Sequence, residues 1–169
     1  MAVPTIPNSV LARQILEAVD AAPGSFDVTA QDTEWLRLEP GDHPAVLGIR
    51  LDVASWAAHL AGHTLVRATH APETVLVEGP AASGWYAAVR DIARYELGLV
   101  DQDLFSVADP RIAVFCLHQI ADGQQPDVHR ARLTAARAVL LIAEAKTALA
   151  NVGVHIGPGL AAGIPTAVA

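Results

Sequence analysis

The 169-residue chain has one cysteine, Cys116, and one lysine, Lys146. A single thiol excludes an intramolecular disulfide and any zinc site built from several cysteines. Its setting in Ile112-Ala-Val-Phe-Cys-Leu117 marks it as a small core hydrophobe. A nucleophilic thiol needs partial exposure and a nearby base, and His118, two residues on, falls on a different helical face. The net charge is −7, and the ten arginines are scattered apart from Arg130, Arg132 and Arg137. A duplex-binding face needs several phosphate-neutralising cations together, so general nucleic-acid binding is disfavoured. A regulator acting through those three arginines is the weakest reading, because the field of the whole chain opposes it.

Other absences narrow the chemistry further. Glycine is plentiful, yet no glycine-rich loop carries the Lys-Ser/Thr of a phosphate-binding loop, and no G-x-G-x-x-G follows a strand. Ser83 in Ala81-Ala-Ser-Gly-Trp85 lacks the glycine spacing of a nucleophile elbow and reads as a helix N-cap. Asp91, Glu96, Asp101 and Asp103 lie close enough in sequence for acid–base or cation chemistry, but Asp101 and Asp103 do not follow the order of a calcium loop, and the four read as a solvated face with a cap. The first residues have neither a basic stretch nor an apolar one, so a secretory signal is not expected and a cytoplasmic location is.

Hydrophobic side chains make up 52% of the chain, enough for one sizeable core. Periodicity predicts a compact, mainly α-helical domain over residues 1–151, with about five helices and a small β-hairpin or two to four short strands. Asn8-Ser9 caps a first helix, stopped by Pro23-Gly24. The acidic, turn-rich stretch after it suggests short strands at residues 35–38 and 45–51. Residues 64–69 and 74–78 flank His70-Ala-Pro-Glu73 as a hairpin. Ser83 is then expected to open a helix with Trp85, Val89 and Ile92 inward and Arg90 and Arg94 outward, closed by Gly98. Asp101 caps a short turn holding Leu104 and Phe105. Asp109-Pro110 starts a helix that is apolar nearly all round and is expected to be central. Pro126-Asp127 opens a last helix whose stripe, Val128, Ala135, Val139, Ile142 and Leu149, is spaced for packing along its whole length. Trp35, Trp56, Trp85, Phe105 and Phe115, each among aliphatic neighbours, are expected in the core.

The most informative segment runs from Asp52 to Leu65. As a helix it would carry Trp56, His59, Leu60 and His63 on one face and Ala54, Ala57, Ala58 and Ala61 on the other. His59 and His63 have the spacing by which a helix offers two imidazoles to one zinc ion, with His70 or His43 as a third ligand if the fold brings it near. Leu-Ala-Gly between them leaves no glutamate as general base, and Gly62 suggests that the helix ends before His63. The sequence therefore predicts no metal and no cofactor, and keeps a small metal-dependent enzyme using His59 and His63 as the alternative.

Three stretches together carry a resemblance: Ala54-Ser-Trp-Ala-Ala-His-Leu-Ala-Gly62, Glu96-Leu-Gly-Leu-Val-Asp-Gln-Asp-Leu-Phe105 and Ile120-Ala-Asp-Gly123. The middle half of the chain resembles a group of small uncharacterised helical proteins of actinobacteria and their phages. Members often have a cysteine and a glycine just before the tryptophan, where this chain has Val53, Ala54 and Ser55. The resemblance implies a compact helical fold and a phage or prophage origin, and it implies no reaction.

Residues 152–169 form an uncharged, apolar tail whose glycines and prolines argue against a membrane-spanning helix. Val154, Ile156, Leu160 and Ile164 are too apolar for an ordinary linker and are expected to dock on another surface. The resulting expectation is a non-enzymatic interaction protein of phage or prophage type. It would be a host-factor binder or a virion component, located in the host cytoplasm or the virion, with a protein partner or further copies of itself.

Overall fold

A computed structural model describes residues 6–28, 37–68, 71–79 and 86–151. The chain divides into two compact units, Met1–Ala131 and Arg132–Ala169. Among the described residues are five α-helices and a four-stranded antiparallel sheet. Four strands lie within the two to four expected, and their pairing into one sheet makes this a mixed helical domain.

Helix α1 (Ser9–Ala21) starts where the Asn8 side chain accepts from the amide of Leu11 at 3.1 Å. Its Leu11, Ala12, Ile15, Leu16 and Val19 form a buried face that packs mainly on α4 and α2. Pro23 then turns the chain into a short 3₁₀ segment, and Phe26 forms a parallel bridge with Leu51.

Strand β1 (Arg37–Leu38) is as short as the sequence suggests, but residues 45–51 do not form the expected strand. They wind into turns closed by Ile49 N–H donating to the Pro44 carbonyl at 2.8 Å, with Val46 and Leu47 exposed. Pro44 and Gly48, the latter at φ +69°, favour turning over extension, and among the described residues only Leu51 of the segment pairs, in its single bridge with Phe26.

Helix α2 (Val53–Leu60) is capped by Asp52, which accepts from the amide of Ser55 at 2.8 Å. Every residue from Val53 to His59 is buried. Helix α2 packs on both α1 and α3, and small Ala54, Ala57 and Ala58 are fully buried, so the alanine face is as much core as the tryptophan face. Gly62, at φ +89°, ends the element.

The sheet is a meander in the order β1-β2-β3-β4. β2 (Leu65–Ala68) and β3 (Ala71–Glu78) form the expected hairpin, although β3 already begins inside the presumed loop at residues 70–73. The chain next forms β4 (Tyr86–Ala88) and passes directly into α3 (Val89–Leu97). The cap of α3 is therefore Ala88, and the helix expected from Ser83 starts later; Ser83, Trp85 and Trp35 lie outside the described residues. Pairing of Tyr86, Ala87 and Ala88 with β3 outweighs the local cap signal.

Gly98 closes α3 at φ +66°, as read from the sequence. After a 3₁₀ turn at Asp103–Ser106, Asp109 accepts from the amide of Arg111 and Pro110 opens α4 (Pro110–Ala121). Ala113, Cys116, Leu117, Ile120 and Ala121 enter the core, but Phe115 is 40% exposed. The helix thus has a solvent side, and Phe115 is not the core residue its aliphatic neighbours suggest.

Asp127 caps α5 (Val128–Asn151) by accepting from the Arg130 amide at 2.8 Å. Val128 and Ala131 are buried. In the second unit the pattern differs from the expected stripe: Val139 and Ile142 are exposed, together with Leu133, Leu140 and Leu141.

Candidate functional site

The histidines of the tryptophan segment are separated by the end of α2. His59 is on the helix and buried, and its Nε2–H donates to the carbonyl oxygen of Asp42 at 3.1 Å. His63 lies beyond Gly62, and its Nε2 contacts Glu96 Oε1 at 2.9 Å. The two imidazoles are committed to different partners in different segments, so the shared face read from i, i+4 spacing does not survive the helix stop. Among the described residues no group of three or more His, Cys, Asp and Glu side chains is placed to hold a metal ion, and His70 lies outside them.

His59 is a structural histidine with a pH signature. Its Nδ1 is buried without a hydrogen-bond partner among the described residues. Burial pushes its pKa below the usual 6.5, and the bond to the Asp42 carbonyl offsets part of that shift. The unfolded chain therefore binds the proton more readily than the fold does. This group leaves stability intact above about pH 6.5, and stability falls as pH drops from there toward the folded-state value. The slope is at most about 1.4 kcal/mol per pH unit. Urea melts between pH 5 and pH 7.5 should show this loss, and His59→Gln should flatten it; an unchanged pH slope in the variant would rule out His59 as its source.

Two other features stand out. The first is α5. In its second-unit portion, exposed Val139, Leu140, Leu141 and Ile142 follow one another in sequence, so they point in four directions around the helix. No described helix is long and apolar enough to cross a membrane. The tail residues Val154, Ile156, Leu160 and Ile164, expected to mediate docking, lie outside the described residues.

The second feature is a cleft of about 260 Å³ in the first unit, lined by residues of the Arg50–Ser55 segment, β2, β3 and the start of α3. Arg50, Arg67 and Arg90 are among its lining residues, and Arg50 is ion-paired with Asp27. Sequence reasoning sought cation clusters in neighbouring residues and so passed over these, which are 17 and 23 positions apart. One signal was available: β2 alternates buried and half-buried positions, and Arg67 shares the buried register with Leu65. An arginine at an inward position of a strand has to be explained by what it faces.

Comparison with protein-family models, with curated proteins and with solved structures finds no match.

Proposed function

We propose that the protein is a non-enzymatic interaction protein that assembles with further copies of itself through α5. The carrying observation is the run of exposed aliphatic side chains from Val139 to Ile142. A stretch of helix without polar residues, as from Ala138 to Ala143, is ordinarily buried, and side chains such as Leu140, 63% exposed here, gain about 1.5–3 kcal/mol each when fully covered. Seven-residue spacing beyond the buried Val128 and Ala131 supports the same reading: Ala135, Ile142 and Leu149 recur at one heptad position, with Ala138 and Ala145 at the other. Such a seam, with alanine at every second position, suits close approach of a neighbouring helix. Val139 and Leu141 flank the seam, while Leu133 and Leu140 lie opposite it, which favours a bundle of several α5 helices over a two-stranded coil. The resemblance of the middle of the chain to actinobacterial and phage proteins supports a phage or prophage setting, with a role in the virion or on a host factor.

Sedimentation equilibrium of the full chain tests the assembly. A mass several times that of one chain is expected, falling to that of one chain in a Leu141→Glu/Ile142→Glu variant whose far-ultraviolet spectrum stays helical. A monomeric wild-type chain at tens of micromolar would sink the reading. A gene neighbourhood outside any phage or prophage would remove the viral setting and leave the assembly reading intact.

A further inference from the structure

One side of α5 in the second unit has an internal symmetry. Leu133, Arg137, Leu140, Leu141, Glu144 and Ala148 are all exposed, and their spacings of 4, 3, 1, 3 and 4 residues read the same from either end. At ~100° per residue these spacings keep the six together, on the side of the helix away from the seam of Ala135, Ala138, Ile142 and Ala145. The set is centred between Leu140 and Leu141. Turning the helix end over end therefore exchanges Leu140 with Leu141, Arg137 with Glu144 and Leu133 with Ala148.

Each exchange brings together residues that suit one another. In an antiparallel pair of α5 helices aligned on that centre, the leucines of the two copies meet in the middle. About 5 Å along the axis to each side, Arg137 of one copy stands opposite Glu144 of the other, and about 11 Å out Leu133 faces Ala148. Neither Arg137 nor Glu144 has an ion pair among the described residues, and seven positions apart on one helix they are beyond the i, i+4 contact. A parallel pair would set Arg137 against Arg137 and Glu144 against Glu144, with like charges facing at both levels. An unrelated partner would need the reverse order of charges around an apolar centre. A second copy turned end over end already has it. Charged residues within a helix–helix contact cost some stability, but they fix register and direction.

We propose that this side of α5 binds the same side of a second copy, antiparallel about a two-fold axis between Leu140 and Leu141, with Arg137 and Glu144 setting direction and register. Assembly through α5 is the premise, and the seam on the other side is left to join such pairs into a larger bundle. Sedimentation equilibrium of full-length charge variants tests the pairing. Arg137→Glu and Glu144→Arg should each weaken it about tenfold, since each turns two attractions into two repulsions. The two changes move the net charge in opposite directions, so weakening by both does not come from overall repulsion. The double swap Arg137→Glu/Glu144→Arg should recover pairing to within about threefold of the wild type, because it restores opposite charges between antiparallel copies. Between parallel copies none of the three changes would matter. Cysteine placement reads the direction independently: under mild oxidation Leu133→Cys mixed with Ala148→Cys should give a disulfide-linked dimer, and neither variant alone should. Self-cross-linking of either variant, single reversals that pair as tightly as the wild type, or a double swap as weak as the singles would overturn antiparallel pairing and leave assembly through α5 intact. A wild-type chain that stays monomeric at tens of micromolar overturns both.

Discussion

Replacing Trp56 with alanine is expected to remove about 3–5 kcal/mol of stability, the usual range for deleting a buried aromatic side chain. A domain of this size has only ~5–15 kcal/mol in total, so the first unit would be left marginal. Trp56 is 4% exposed, its Nε1–H donates to the Ser25 carbonyl at 3.3 Å, and its ring meets the His59 ring edge-on with centroids 6.2 Å apart. The alanine would open a cavity and leave the Ser25 carbonyl without this donor. Trp56→Phe should fall between, keeping most of the packing and losing a bond worth about 1 kcal/mol. Urea midpoints for both variants check the order. A loss below about 1 kcal/mol in Trp56→Ala would mean that the helices around α2 close over the gap, against the expected cost of a cavity.

Gly98→Ala should be nearly as damaging although it removes nothing. Gly98 adopts φ +66°, where any residue with a Cβ is disfavoured by roughly 1–2 kcal/mol. In addition, a Cβ there would overlap the carbonyl oxygen of Ile6, a backbone atom that cannot rotate aside. The chain just after Ile6 is held at this point by Asn8, whose amide donates to the Leu97 carbonyl at 2.9 Å and whose Nδ2 donates to the Glu96 carbonyl at 3.0 Å. Asn8 is also the cap of α1, so displacing Ile6 disturbs the start of α1 together with the end of α3. We expect a loss of at least about 2 kcal/mol, combining the left-handed penalty with the weakened cap. Gly41→Ala is the control, since a Cβ at Gly41 meets nothing within 4 Å, and its effect should stay within about 0.5 kcal/mol. Equal melting temperatures for the two variants would refute this account of Gly98.

Local signals in the sequence located much of the helical framework. Asn8, Asp109 and Asp127 each cap the helix that follows them, and Gly98 ends one. A cap needs only a side-chain oxygen and the amides two or three residues on, so neighbouring residues suffice to specify it. The β2–β3 hairpin was legible for the same reason. Where a local signal competed with a distant partner, the partner decided. Residues 86–88 joined β3 as β4 and delayed α3 to Val89, while residues 44–48 wound into turns and only Leu51 of the next few residues paired, with Phe26.

For the sites the division follows distance along the chain. By itself the sequence determined the buried nature of Trp56 and Cys116, the likeness of His59 and His63 to a ligand pair, and the spacing of the apolar residues of α5, because each depends on residue type and helical spacing. Only the tertiary structure decided that His59 bonds to Asp42 and His63 to Glu96, 17 and 33 residues away. It also left Val139 to Ile142 of α5 exposed and gathered Arg50, Arg67 and Arg90 around one cleft. Period and spacing specify which side of an element a residue occupies. What that side meets is set by packing between distant segments, and no pattern within one segment contains it.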